Sequence, residues 1–197
     1  MIKDLLQKDD FAADALDVRN RVIAGGFETK SGPDGFPYTG VSQLAVPQWF
    51  DHISALRGQK IKPRLSCFRL NLAGEMPHSW VHSDDICASW ASVLYLNLPE
   101  QCQGGTAFWR HKVLGYKSLP TPGALYSLGE DPKTFYQWMT DQWKVKDIWE
   151  QYSPGIPMQF NRFVTYPTSL FHSRFPFEAF GSSGEDGRLI WICFYDL

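Results

Sequence analysis

From residue 62 onward, the chain is divided into short apolar segments that are separated by turn residues. Several segments are apolar throughout, as strands buried on both faces are, and Gly and Pro lie between them. The candidate strands are residues 64–72, 79–82, 91–98, 105–109, 124–127, 159–166, 170–174 and 189–195. This pattern predicts a mainly β protein with a sandwich or jelly-roll core.

Residues 1–61 have a different pattern, with apolar residues at helical spacing in 11–23 and 46–56. Gly25 and Gly26 end the first helix, and Pro47 suits the first turn of the second. This segment has too few apolar residues for a core of its own. We therefore expect a single domain, 1–197, in which a helical segment, 1–61, packs on a β core formed by 62–197.

Residues 134–152 interrupt the strand pattern with many aromatic residues among helix-forming ones. The pattern predicts a helical insertion that packs its aromatic side chains on the β core. A lid that adds an aromatic wall to a ligand pocket is the alternative interpretation.

The charge balance and the apolar stretches exclude several classes of protein. Lys and Arg number 19 against 21 Asp and Glu, for a net charge of −2, and no basic run is present, so we expect no nucleic-acid partner. The longest apolar stretch, 189–195, is far too short to span a membrane. The first residues carry acids and no apolar run, which predicts no signal peptide. The four cysteines show no CxxC spacing, so we expect reduced thiols in a cytoplasmic protein.

The strongest chemical pattern joins His82 and Asp84 to the distant His172. Residues two apart in a strand face the same side, so His82 and Asp84 can converge on one point. Alone, this pair is typical of a protein surface, and His172 alone is typical of a buried core histidine. Together, two histidines and one carboxylate are the facial triad of non-haem Fe(II) enzymes, which leaves open positions on the metal.

On these residues the sequence resembles the Fe(II)/2-oxoglutarate-dependent dioxygenases, in particular their prolyl-hydroxylase-like branch. The resemblance covers about residues 62–197. Besides the triad and Arg188, it is carried by SVLYLN at 92–97, GGTAF at 104–108, NRFVTY at 161–166 with LFHS at 170–173, and GRLIWI at 187–192.

The resemblance implies a double-stranded β-helix, the jelly-roll fold of the cupins, and an enzyme that hydroxylates its substrate. It assigns His82, Asp84 and His172 to Fe(II), and Arg188, with Tyr95, to the distal carboxylate of the co-substrate 2-oxoglutarate. O2 is the second co-substrate. Because Asp84 is present, hydroxylation is favoured over halogenation.

The choice of arginine is open at this point, since Arg174, Arg162 and Arg69 compete with Arg188. The 15 residues between His172 and Arg188 also form a longer loop than the family pattern predicts. The tyrosine at position 95 can equally be a core residue.

The substrate is not specified by the sequence, so an amino acid, a peptide or a small metabolite all fit, and the oligomeric state is equally open. Two other functions stay open. The first is a cupin-type metalloenzyme that does not use 2-oxoglutarate and does not need Arg188. The second is a jelly-roll binding module in which the His/Asp/His pattern is coincidental.

Overall fold

The computed structural model describes residues 2–75, 78–85 and 87–197 of the chain. Its first elements are β1 (Leu6–Lys8), α1 (Ala15–Gly25), β2 (Glu28–Ser31), β3 (Pro37–Ser42) and α2 (Pro47–Arg57). The following elements are β4 (Lys62–Asn71), β5 (Trp90–Tyr95), β6 (Gly105–His111), α3 (Pro122–Ser127), α4 (Pro132–Gln142), β7 (Trp149–Gln151), β8 (Ile156–Pro157), β9 (Phe163–Pro167), β10 (His172–Phe175) and β11 (Arg188–Asp196).

The strands form two antiparallel sheets. The larger sheet has the order β1-β9-β5-β11-β4-β3-β2, and the smaller has the order β10-β6-β7, with β8 also paired to β6. The long strand β11 lies in the middle of the larger sheet, between β4 and β5. The pairs β9–β5, β5–β11, β11–β4 and β10–β6 each join strands from distant parts of the chain, as in a double-stranded β-helix. The predicted jelly-roll fold with N-terminal helices is confirmed.

The N-terminal segment is not only helical, because it also supplies three strands. β1 pairs with β9 at one edge of the larger sheet, while β3 pairs with β4 and carries β2 at the other edge. The Gly- and Pro-rich residues 31–40 include the turn of the β2–β3 hairpin. Its strands are short and polar, so their pairing depends on the edge of β4 rather than on a pattern of their own.

Three of the predicted elements inside the β core are wrong in type or extent. Residues 124–127 are the end of helix α3, because the Thr121 hydroxyl accepts a hydrogen bond from the Ala124 N–H and caps the helix. Residues 79–82 are not a strand, since only His82 forms an isolated bridge. The insertion 134–152 is helical to Gln142 and then continues through a 3-10 turn into β7.

Helices α1 and α2 cover the outer face of the larger sheet. Val18 and Val22 of α1 and Trp49 of α2 are completely buried. The Trp49 ring meets Trp191 of β11 edge to face, with centroids 5.1 Å apart. Burial of each such side chain stabilises the fold by about 1.5–3 kcal/mol, so the helices and the sheet form one core.

A second cluster fills the space between the two sheets. It contains Tyr95 of β5, Ile190 of β11 and Phe108 of β6, so side chains from both sheets meet there. A third cluster lies on the outer face of the smaller sheet, where α4 contributes the buried Met139. Side chains of both sheets therefore fill the interior between them, while the aromatic insertion packs outside this interior.

No helix within the three described ranges combines the length and the apolar character needed to cross a bilayer. All four cysteines are free thiols.

Candidate metal centre and the buried arginine

Backbone pairing brings the predicted ligands His82, Asp84 and His172 together. His82 and His172 face each other across an antiparallel bridge, in which each N–H donates to the carbonyl oxygen of the other, at 3.1 and 2.9 Å. The Asp84 N–H donates to the Thr168 carbonyl oxygen at 2.9 Å. These bonds fix the three side chains next to one another, although His172 is distant in sequence.

The three side chains form a compact group of possible metal ligands. One ligand atom from each lies within 4.8 Å of the other two. Asp84 Oδ2 is 3.0 Å from His172 Nε2, and Asp84 Oδ1 is 3.9 Å from His82 Nε2. Two imidazole nitrogens and one carboxylate oxygen are the donor set of a facial triad, so the residues present fit Fe(II).

Hydrogen bonding orients the His172 ring for this role. Its Nδ1–H donates to the Leu170 carbonyl oxygen at 2.8 Å, which leaves Nε2 to face Asp84. Such a bond from the second ring nitrogen is the usual support of a metal-binding histidine.

The electrostatics of the group favour the protonation states that bind metals. Desolvation within the site lowers the pKa of His82 to about 4, and the neighbouring His172 acts in the same direction. Burial acts to raise the pKa of Asp84, but the charges of the two histidines and the hydrogen bond from His172 outweigh it and lower the pKa. At neutral pH, His82 is therefore neutral and Asp84 is ionised.

Arg188, the first residue of β11, is a buried cation with unused donors. It is 5% exposed, and strand alternation places its side chain on the same face as Ile190, between the sheets. Its Nη1 donates to Asn71 Oδ1 at 3.3 Å, while its Nε has no partner and no carboxylate in the described ranges pairs with it. Burial lowers the pKa of Arg188 to about 10, so the guanidinium is charged at neutral pH.

The three competing arginines are all engaged by carboxylates. Arg69 and Arg174 lie 3.3 and 3.9 Å from the Oε1 atom of Glu75. Arg162 pairs with Asp9 through Nε and Nη2, at 2.6 and 2.9 Å. Of the four arginines considered from the sequence, the one on β11 alone lacks such a partner among the residues described.

Tyr95 lies in the same interior as Arg188. Its hydroxyl is 2.7 Å from Thr106 Oγ1 on β6. Burial raises the pKa of Tyr95 and the charge of Arg188 opposes this increase, so the two side chains are within electrostatic reach. No direct hydrogen bond joins Tyr95 and Arg188 within the described part of the chain.

Sequence reasoning did not single out Asn71, Thr106 or Tyr166. Asn71 is paired with Arg188 across β4 and β11, Thr106 bonds Tyr95, and the Tyr166 ring packs against His172 with centroids 4.9 Å apart. All three depend on which strands are neighbours and in which register. The one available signal was that Asn71 and Tyr166 lie near the ends of strands that lead to predicted ligands.

His78 and Asp85, a basic and an acidic neighbour of the triad in sequence, lie outside the metal-ligand group. The His78 ring contacts Phe36 of the β2–β3 turn in a tilted arrangement, with centroids 4.2 Å apart. Asp85 is exposed and accepts a hydrogen bond from the Ser83 hydroxyl. The metal-ligand group therefore consists of His82, Asp84 and His172.

Residues 67–195 match the model of a protein family that is described as "Family of unknown function (DUF6445)". The match runs from within β4 almost to the end of β11, and thus includes the metal-ligand group and Arg188. No curated protein matches the chain.

AviO1 and the epimerase SnoN are among the solved structures that are similar to this one. AviO1 from Streptomyces viridochromogenes Tue57 has a TM-score of 0.51 at 12% identity, over 98% of this chain and 89% of that one. The epimerase SnoN, in complex with Fe3+, alpha ketoglutarate and nogalamycin RO, has a TM-score of 0.43 at 12% identity, over 97% of this chain and 78% of that one. At this identity, the similarity to AviO1 is one of fold.

Proposed function

The chain belongs to the DUF6445 family, whose function is unknown, and we propose that it is a non-haem Fe(II)- and 2-oxoglutarate-dependent oxygenase. The observation that carries the proposal is Arg188, a buried cation that lacks a carboxylate partner within the described ranges. An unpaired buried charge is costly, and it persists where a ligand of opposite charge completes it. The motif resemblance further supports the prolyl-hydroxylase-like branch.

The two ends of the site have complementary charges for a dianionic 2-oxo acid. In the proposal, His82, Asp84 and His172 hold Fe(II), and the Asp84 carboxylate offsets one of the two charges of the ion. One positive charge is left for the carboxylate at the 2-oxo end. Arg188, with Tyr95 close by, offers a second positive charge and planar donors for the carboxylate at the other end.

Fe(II), 2-oxoglutarate and O2, when bound, supply the chemistry that couples decarboxylation to succinate and CO2 with hydroxylation of a substrate C–H bond. The chain contributes position and charge. The bridge between His82 and His172 fixes two ligands on one backbone frame, and the apolar interior excludes water from Arg188.

We propose an amino acid, a peptide or a small metabolite as substrate. Nucleic acid and membrane are not proposed as partners, and the four free cysteines support a cytoplasmic location.

Anaerobic titration of the Fe(II)-loaded protein with 2-oxoglutarate tests the proposal. We expect the weak visible charge-transfer band of a 2-oxo acid chelated to Fe(II). The band is expected to disappear in Asp84→Ala and to persist in Asp85→Ala, where the neighbouring exposed carboxylate is removed instead. Bound iron without the band would indicate a cupin-type metalloenzyme that does not use 2-oxoglutarate. Absence of bound iron would indicate a binding module.

A further inference from the structure

Tyr166 of β9 lies directly beside the metal-ligand group. It is 2% exposed and belongs to the cluster between the two sheets. Its ring meets the His172 ring edge to face, with centroids 4.9 Å apart, and the Phe108 ring with centroids 5.1 Å apart. The ring is therefore fixed by packing on both sides, which fixes the position of its hydroxyl.

The Tyr166 hydroxyl has no hydrogen-bond partner among the described residues, although the residue is only 2% exposed. The other two buried tyrosines have partners, since Tyr95 bonds Thr106 at 2.7 Å and Tyr195 bonds Thr165 at 2.8 Å. Because buried phenols normally find a partner, this hydroxyl is a candidate donor to a ligand bound beside the metal-ligand group.

Packing places Tyr166 in the same interior as the residues assigned to the co-substrate. The cluster between the sheets contains Tyr166, Tyr95 and Ile190, and Ile190 lies on the same face of β11 as Arg188. A ligand held between the metal-ligand group and Arg188 therefore occupies the interior that contains the Tyr166 phenol, which is an O–H donor.

We propose that Tyr166 is a further co-substrate ligand, whose hydroxyl donates a hydrogen bond to 2-oxoglutarate at its metal-binding end. This inference rests on the function proposed above. The metal-binding end is favoured because the Tyr166 ring lies against His172. The other end already has Arg188, which is bonded to Asn71.

The test compares the wild type with Tyr166→Phe, which removes the hydroxyl and keeps the ring that packs on His172. Each protein is titrated anaerobically with Fe(II) alone and then, loaded with Fe(II), with 2-oxoglutarate. We expect an unchanged Kd for Fe(II), a Kd for 2-oxoglutarate that is weaker by about tenfold, and a charge-transfer band at shorter wavelength. Loss of a hydrogen bond to the chelated end raises the energy of the accepting orbital, which explains the shift.

Tyr195→Phe is the matched control, because its hydroxyl lies on the opposite face of the larger sheet, bonded to Thr165. We expect it to lower the melting temperature and to leave both the Kd for 2-oxoglutarate and the band unchanged. An unchanged Kd and band in Tyr166→Phe would overturn the inference while the wild-type band still supports the proposed function. A weaker Kd with an unmoved band would overturn the assignment to the metal-binding end. Absence of the band from the wild type would overturn both proposals together.

Discussion

Arg188 and Asn71 form a hydrogen bond across β11 and β4, from Nη1 to Oδ1 at 3.3 Å, at a place where an aspartate would neutralise the arginine. The same asparagine donates from Nδ2 to both carboxylate oxygens of Glu75, at 3.0 Å each. Its amide therefore separates an acidic side chain from the buried guanidinium. The charge of Arg188 is left for a ligand.

Replacing the Asn71 amide by a carboxylate tests whether this amide keeps the charge of Arg188 available to a ligand. In Asn71→Asp, the new side chain has nearly the same shape and pairs with Arg188, so we expect the Kd for 2-oxoglutarate to weaken by about tenfold or more. The control is Asn71→Ala, which removes the hydrogen bond but adds no charge. Calorimetric titration of each metal-loaded variant with 2-oxoglutarate measures the two Kd values. Equal losses in the two variants would show that the contact, rather than the charge, determines affinity.

Arg188 is expected to lower the stability of the ligand-free protein. Arg188→Met removes a buried cation that has no carboxylate partner in the described ranges, so we expect a higher melting temperature without ligands and no measurable binding of 2-oxoglutarate. Arg19 offers the matched comparison, since it is equally buried but its Nη2 donates to the Glu185 carbonyl oxygen at 2.8 Å and lies 3.3 Å from the Glu185 carboxylate. Arg19→Met is expected to lower the melting temperature. Thermal denaturation of both variants would disprove the interpretation if the two shifts have the same sign.

Gly104, directly before β6, is required by a close backbone contact. Gly104 has a φ of +64°, and a Cβ atom there would lie 1.7 Å from the Phe175 carbonyl oxygen. We expect Gly104→Ala to reduce the free energy of unfolding by about 3 kcal/mol or more. Gly123 in α3 has open space around it, so Gly123→Ala is expected to stabilise the protein by about 0.5–1 kcal/mol. Urea denaturation measures both changes, and a small loss in Gly104→Ala would mean that β6 and β10 can move apart.

The buried His111 is expected to make stability depend on pH. Its Nδ1 accepts hydrogen bonds from the N–H groups of Val113 and Leu114, and burial lowers the pKa of His111 below 6.5. In the range between the two pKa values, the unfolded chain binds a proton that the folded chain does not. Stability is therefore complete above pH 6.5 and falls as the pH drops below it.

His111→Asn keeps an acceptor near the position of Nδ1 but cannot titrate. Urea denaturation at pH 7.5 and 5.5 is expected to show a larger loss of stability in the wild type than in this variant. Equal losses in the two proteins would assign the pH dependence to other groups, such as the histidines of the metal-ligand group.

The sequence was informative wherever a local pattern determines a structure. The apolar strands β4, β5, β6, β9, β10 and β11 are long enough to be recognised, and the N-terminal helices show clear periodicity. The capping of α3 by Thr121 is also a local signal, but the three apolar residues at 124–126 obscured it. The β2–β3 hairpin was missed because its strands are stabilised by the edge of β4 and not by their own composition.

In the candidate site, too, local patterns were recognised from the sequence, and contacts between distant strands were not. His82 and Asp84 could be paired because they are two residues apart, the donor set of a facial triad added His172, and a motif resemblance added Arg188. The reason to favour Arg188 over Arg69 lies in the position of Glu75, which no local pattern provides. Tyr166 was missed for a related reason, since its contact with His172 joins two different sheets.

The N-terminal strands cover both edges of the larger sheet, because β1 pairs at one edge and β3 with β2 pairs at the other. The family match begins only at residue 67 and so leaves out these three strands, together with both helices that cover the sheet. A fragment cut at that boundary would expose Trp191 and leave two unpaired edges for aggregation. The recognisable unit of the family and the unit that folds are thus different lengths of chain.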